Sequence, residues 1–172
     1  MSIRVSSAKT SASRVTMTRA AKPVATSAVN LFLANQMCFA IYSTSLAMTK
    51  LYRPLLSQLG LTYPQYVVLL ALWEQDQLTV TALGERVALD SGTLTPLLKR
   101  LQSQGLLERQ RSLDDEREVY IKLTRQGFNL RKKSEAIHEN IVCATQCSHS
   151  ERKTLTQSLQ KLRASLMANL PG

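Results

Sequence analysis

Residues 89–107, "LDSGTLTPLLKRLQSQGLL", decide how the rest of the chain is read. Leu94, Leu97, Leu98 and Leu101 recur at helical spacing and mark one apolar stripe. Two residues can cap the helix. If Thr93 caps, Pro96 falls in the tolerated first turn; if Asp90 caps, Pro96 lies further in and bends the helix. Gly105 suits the position just past its end. Upstream, "QLTVTALGERVAL" (77–89) is a short amphipathic helix with Leu83 and Val87 inward. Downstream the period changes from helical to alternating. "LLERQR" (106–111) and "EVYIKL" (118–123) are predicted strands, joined by the charged link "SLDDER" (112–117).

Helix, helix, then a β-hairpin is the order of a winged helix-turn-helix, a mainly α fold with a small β wing. In such a motif the second helix enters the major groove and the wing reaches the backbone or minor groove. Ser91, Thr93 and Thr95 place short hydroxyl side chains at the start of that helix, and Lys99 and Arg100 follow on its exposed side. The wing adds Arg109, Arg111 and Arg117. Taken singly, each is more simply a cap or a solvated charge; together and in this order they predict contacts to DNA. Asp115, two residues before Arg117, can hold that guanidinium by a charge-assisted bond and aim it at a narrow minor groove.

Further helices frame this unit. Leu33, Met37, Ile41 and Leu46 predict a helix from about residue 31, and Pro54 predicts a bend or a new helix near 49–54 that runs to Leu59. In "LTYPQYVVLLALWE" (61–74), Thr62 and Gln65 have capping-box spacing and Pro64 sits in the first turn. Thr124 can cap a long helix from Arg125 towards Cys147, and Leu155, Leu159, Leu162 and Leu166 stripe a last one.

The formal net charge is +10, which favours a polyanionic partner, nucleic acid before an anionic membrane surface. Residues 1–73 carry seven of the 22 basic side chains and no Asp or Glu, so bulk charge overstates how basic the folded part is. Three cysteines without a close pair, and two histidines, argue against a structural zinc site and against a secreted disulfide scaffold; no metal or other cofactor is expected. The longest apolar run, "YVVLLALW" (66–73), is far short of the ~18 residues of a membrane span. Residues 1–29 have the composition of a transit peptide or a basic tail, and Met17 is an available internal start; they are expected to lie outside the fold. The domain is expected over 30–172.

The strings "LANQMCFAIYSTSLAMTKLYRPLLSQLGLTYPQY" (33–66), "DSGTLTPLLKRL" (90–101) and "RSLDDEREVYIKLT" (111–124) resemble the MarR family of winged-helix repressors, and within it the organic hydroperoxide resistance regulators. The resemblance covers most of the chain, weakens after residue 125 and is absent before about residue 30. It implies a cytoplasmic homodimer, with helices in 30–60 and 125–172 interleaved, that reads an inverted repeat of operator DNA and is no enzyme. It further implies that Cys38 is a redox sensor, oxidised by organic hydroperoxide to the sulfenic acid, with Tyr52 and Tyr63 supporting its thiolate. Two more cysteines imply the two-cysteine subgroup, in which a resolving thiol on the other subunit closes a disulfide and the DNA is released. Cys143 matches that position, and Cys147, one turn on and expected on the same helix face, is the alternative.

By residue type alone, free cysteines are as readily packing residues. The geometry adds one constraint: fourteen residues of straight helix put Tyr52 about 21 Å from Cys38, so contact within one chain needs the helix to fold back. Three rival functions remain open at this point. One is a repressor released by a small phenolic or antibiotic ligand. Another is a thiol peroxidase, although Cys38 has no nearby Arg or Thr partner. The third is a sequence-independent chromatin protein.

Overall fold

A computed structural model describes residues 31–111 and 118–170. A single turn of 3-10 helix, Leu33–Asn35, leads into α1 (Met37–Ser57). Then follow α2 (Tyr63–Glu74), β1 (Leu78–Thr79), α3 (Val80–Val87), α4 (Ser91–Ser103), β2 (Leu107–Arg111), β3 (Val119–Leu123), α5 (Arg125–Thr145) and α6 (His149–Met167). The fold is mainly helical with one small antiparallel sheet, as the element order predicts.

The core forms where α2, α3 and α4 meet the sheet. Leu69, Leu83, Leu98, Leu101 and Ile121 have no exposed surface, and Leu56 closes the core from α1. Each fully buried leucine contributes roughly 2 kcal/mol of transfer free energy. Helix boundaries follow local chemistry. The Thr62 N–H donates to Gln65 Oε1 at 2.8 Å at the start of α2, and Thr124 Oγ1 accepts from the Gly127 N–H at 3.1 Å at the start of α5. α1 is stopped at Gly60 (φ +69°), where the Gly60 N–H reaches the Ser57 carbonyl and the Leu61 N–H that of Leu56. A residue with a Cβ would strain that turn. Trp73 Nε1 donates to the Gly127 carbonyl at 3.0 Å and the Leu123 N–H donates to Asp76 Oδ1 at 2.9 Å, fastening α5 and β3 to the end of α2.

Three details differ from the sequence reading, and one choice that it left open, the cap of α4, is decided. First, the sheet has three strands in the order β1-β3-β2, because Leu78 pairs with Ile121 and Thr79 with Tyr120. Two residues are too few to register as an alternating pattern. Second, no new helix opens near 49–54: α1 is one helix through Pro54 and ends at Ser57, with Leu59 in the turn beyond. Proline removes one backbone bond, and the burial of Tyr52 and Leu56 on either side holds the helix together. Third, Asp90 caps α4, so Pro96 stands inside it. Fourth, α5 stops at Thr145, so the helix that Cys147 was expected to share has already ended.

The outermost helices bury little of their own apolar surface in this chain. None of the residues of α6 is buried; Leu155, Leu159 and Leu166 are exposed and Leu162 is half-buried. Leu33, Met37, Ile41 and Leu46 of the N-terminal stripe are likewise exposed.

Candidate DNA-reading head and sensor cysteines

The start of α4 is built by its cap. Asp90 accepts the Thr93 N–H on one carboxylate oxygen and the Thr93 hydroxyl on the other, both at 2.8 Å. These bonds, the backbone one foremost, hold the Asp90 carboxyl below the ordinary aspartate range. Inward, Leu94, Leu98 and Leu101 anchor the helix to the core. That orientation turns Gly92, Pro96, Lys99 and Arg100 to solvent, all four exposed. Ser91, Thr95 and Lys99 are spaced four apart on one flank; Thr93 and Arg100, seven apart, share the other. Ser91 and Thr93 are exposed and Thr95 is half-buried. The predicted reading residues of α4 therefore stand on two flanks of the helix, four of them exposed and Thr95 half-buried. Gly92 is exposed between them, and a Cβ added there would meet Asp90 Oδ1 at 3.1 Å.

The wing arginines divide. Arg111 is exposed at the end of β2. Arg109 pairs with the fully buried Ile121 and is half-buried, its Nε buried with no hydrogen-bond partner among the described residues. Its head lies in a groove between the wing base and the start of α3, with Thr79, Thr81, Glu85 and Glu118. Asp115 and Arg117 lie outside the described residues.

All three cysteines are free. Cys38 is the second residue of α1 and is exposed. It is flanked by the exposed Met37 and Phe39. Cys143 is exposed in the last turn of α5. Gln146 then adopts a left-handed conformation (φ 53°), and this turn carries Cys147 off the helix. Cys147 is half-buried; its Sγ donates to the Thr145 carbonyl at 3.3 Å and its own carbonyl accepts from Arg152. Of the two C-terminal thiols, Cys143 is the more accessible.

Tyr52 and Tyr63 come together, with ring centroids 4.8 Å apart, and Tyr66 joins them at 5.8 Å from Tyr52. Burial, then the neighbouring Tyr63 and Tyr66, push the Tyr52 phenol up to about 12. Burial also raises Tyr66, partly offset by a hydrogen bond with Ser134. Both phenols thus remain O–H donors at neutral pH, the form that can bond a thiolate. Tyr66 was not singled out by sequence reasoning; the i, i+3 spacing in "YPQY" was the available signal. Because α1 is a single helix, Tyr52 lies about 21 Å along it from Cys38, so the cluster and the thiol do not meet within one chain. Among the described residues, no group of His, Cys, Asp and Glu could hold a metal ion, and no helix is long and apolar enough to cross a membrane.

These features have counterparts in known proteins. The SarA/Rot transcriptional regulator family matches residues 50–137. The organic hydroperoxide resistance transcriptional regulator of Bacillus subtilis is 48% identical over 134 residues, covering 78% of this chain and 91% of that protein. Among solved structures, reduced AbfR bound to DNA superposes with a TM-score of 0.64 at 38% identity, over 78% of this chain and 94% of that one. A disulfide-formed AbfR gives a TM-score of 0.55 at 40% identity, over 76% and 91%; AbfR comes from Staphylococcus epidermidis. The relatives and the fold are those of transcriptional regulators and not of enzymes. The three-stranded wing, the exposed outer side of α4 and these likenesses together place the chain in the MarR-type winged-helix transcription regulators, in the group of organic hydroperoxide resistance regulators.

Proposed function

We propose that this protein is a cytoplasmic homodimeric repressor that holds an inverted-repeat operator while reduced and releases it when an organic hydroperoxide oxidises Cys38. The observation that carries the reading is the separation on α1. Cys38 is exposed at one end, the Tyr52–Tyr63 pair is 21 Å or so away at the other, and the apolar stripe beside the thiol is exposed in the single chain. A second subunit packed on that stripe would bring its phenols to this thiol. The likeness to AbfR in DNA-bound and disulfide forms supports the same reading.

In the chemistry, the Cys38 thiolate attacks the outer peroxide oxygen. The S–O bond forms, the O–O bond breaks, and the leaving alkoxide takes a proton to become the alcohol. Sulfur is oxidised by two electrons and the peroxide is reduced. The Cys143 thiol of the other subunit then attacks the sulfenic sulfur and expels water, leaving an intersubunit disulfide. That bond needs Cα atoms within about 7 Å, so the helices must shift. The shift moves the two α4 helices off their half-site spacing. On each half-site, Ser91, Thr93, Thr95, Lys99 and Arg100 face the major groove. Arg109 and Arg111 reach the backbone, and Asp115 with Arg117 the minor groove.

Non-reducing gel electrophoresis after organic hydroperoxide tests this on wild type and on the Cys38→Ser, Cys143→Ser and Cys147→Ser variants. A linked dimer lost in the first two and kept in the third is expected. Release of DNA by peroxide from Cys38→Ser would end the reading.

A further inference from the structure

The cap of α4 fixes more than the start of a helix: it fixes where one proton lies. Thr93, the third residue of α4, is exposed in the first turn, the part of a reading helix that meets base edges. A threonine hydroxyl has one hydrogen to donate and lone pairs with which to accept. In Thr93 that hydrogen is committed. Its Oγ1 lies 2.8 Å from Asp90 Oδ2, while Asp90 Oδ1 accepts the Thr93 N–H, also at 2.8 Å. These bonds hold the Asp90 carboxyl below the ordinary aspartate range, so at neutral pH it is ionised and has no hydrogen to give. The hydroxyl is therefore the donor of that pair. Among the described residues no group donates to Thr93 Oγ1, so its lone pairs are open to a donor from outside. Ser91 Oγ and Thr95 Oγ1 make no comparable bond among the described residues, and their hydrogens are not committed.

A group that can only accept discriminates between bases. In the major groove adenine N6 and cytosine N4 offer hydrogens, while guanine O6 and N7 and thymine O4 are acceptors. Turning the Thr93 hydrogen outward to meet an acceptor would break a charge-assisted bond and leave the Asp90 carboxylate bare against the negative DNA, which is the costlier arrangement. We propose that Thr93 takes a hydrogen bond from the exocyclic amino group of one base in each half-site, and that Asp90 is the positioning residue that sets this polarity. Ser91 and Thr95 carry no such restriction. The inference rests on the reading of α4 as the helix that enters the major groove, and it adds the chemical group that one residue of that helix selects.

The test lets the reduced full-length protein select duplexes from a random library and reads the enriched sequences column by column. Thr93→Val, which keeps the methyl group and loses the hydroxyl, should flatten one column, and Thr93→Ser should keep it. Asp90→Asn should invert it. Asparagine caps a helix as well as aspartate does. Its Oδ1 must accept the Thr93 N–H, so its Nδ2 donates to Thr93 Oγ1 and turns the hydroxyl hydrogen outward. Where wild type prefers adenine or cytosine on one strand, this variant should prefer guanine or thymine there. Each base pair has a single amino group in the major groove. Replacing that group by hydrogen in the same column, with purine for adenine or 2-pyrimidinone for cytosine, should weaken wild type about tenfold, the scale of one lost base contact, and leave Thr93→Val unmoved. A column that Asp90→Asn leaves unchanged overturns the proposal. So does a Thr93→Val variant that flattens no column, since Thr93 then meets a phosphate or offers only its methyl group. Equal weakening of wild type and Thr93→Val by the amino-free base overturns it too. If wild type enriches no sequence, the reading of the chain as an operator-binding repressor has itself failed and the proposal with it, an outcome distinct from enrichment that ignores Asp90.

Discussion

Replacing Leu155, Leu159 and Leu166 of α6 by serine should dissociate the protein without unfolding the subunit. These side chains are 56%, 44% and 56% exposed in the single chain, and α6 contains no buried residue. Full burial of a leucine is worth ~2 kcal/mol, and about half of each remains to be gained, so each contributes ~1 kcal/mol if a partner covers it. With three on each of two subunits, the interface loses roughly 6 kcal/mol, which is about ten-thousandfold in the dimer dissociation constant. Sedimentation equilibrium across micromolar concentrations reads that constant directly. Far-ultraviolet circular dichroism reads the fold, which should be retained because the core of α2, α3, α4 and the sheet is untouched. A dissociation constant shifted by less than tenfold would refute the assignment of α6 to the interface. Loss of the circular dichroism signal at concentrations where wild type is monomeric would show instead that α6 stabilises its own chain.

Two further outcomes follow from the interior. The Tyr52 phenol is raised from 10 to about 12 in the fold, so its contribution to stability is full below pH 10 and is lost as pH rises from 10 towards 12. Urea denaturation at pH 9 and pH 11 should show this loss in wild type, and Tyr52→Phe should lessen it; an unchanged pH slope would place the phenol in water. At Gly127, an added Cβ would sit 2.1 Å from the Leu106 carbonyl oxygen and 3.1 Å from Leu123 Cδ2. Backbone must move, and the Trp73 bond to the Gly127 carbonyl is disturbed with it. Gly127→Ala should therefore cost about 2–3 kcal/mol in chemical denaturation, and a cost under 0.5 kcal/mol would contradict the packing.

Local chemistry was legible in the sequence because it is carried by neighbours a few residues apart. Thr62 with Gln65, Asp90 with Thr93, and Thr124 with Gly127 are contacts three residues apart, and the structure makes each of them. The leucines of α4 and the alternation in β3 needed only the periods of helix and strand. The sequence by itself thus determined the order of the helices and the hairpin, and with it the winged helix.

What depends on contacts between distant segments had to come from the tertiary structure. β1 exists because Leu78 finds Ile121 forty-three residues later, and two residues have no period of their own. Pro54 marks a break by local rules, yet burial of Tyr52 and Leu56 outweighs one missing bond and keeps α1 whole. That continuity separates Cys38 from the phenols and makes a second subunit necessary to the proposed chemistry. Cys143 and Cys147 are four residues apart and look equivalent on a helix; one left-handed residue, Gln146, turns Cys147 onto the Thr145 carbonyl and leaves Cys143 open. Helical stripes declare themselves in sequence, but whether a stripe meets its own core or another chain is decided only when the rest of the fold is in place. For α2 and α4 it meets the core, and for α1 and α6 much of it remains exposed.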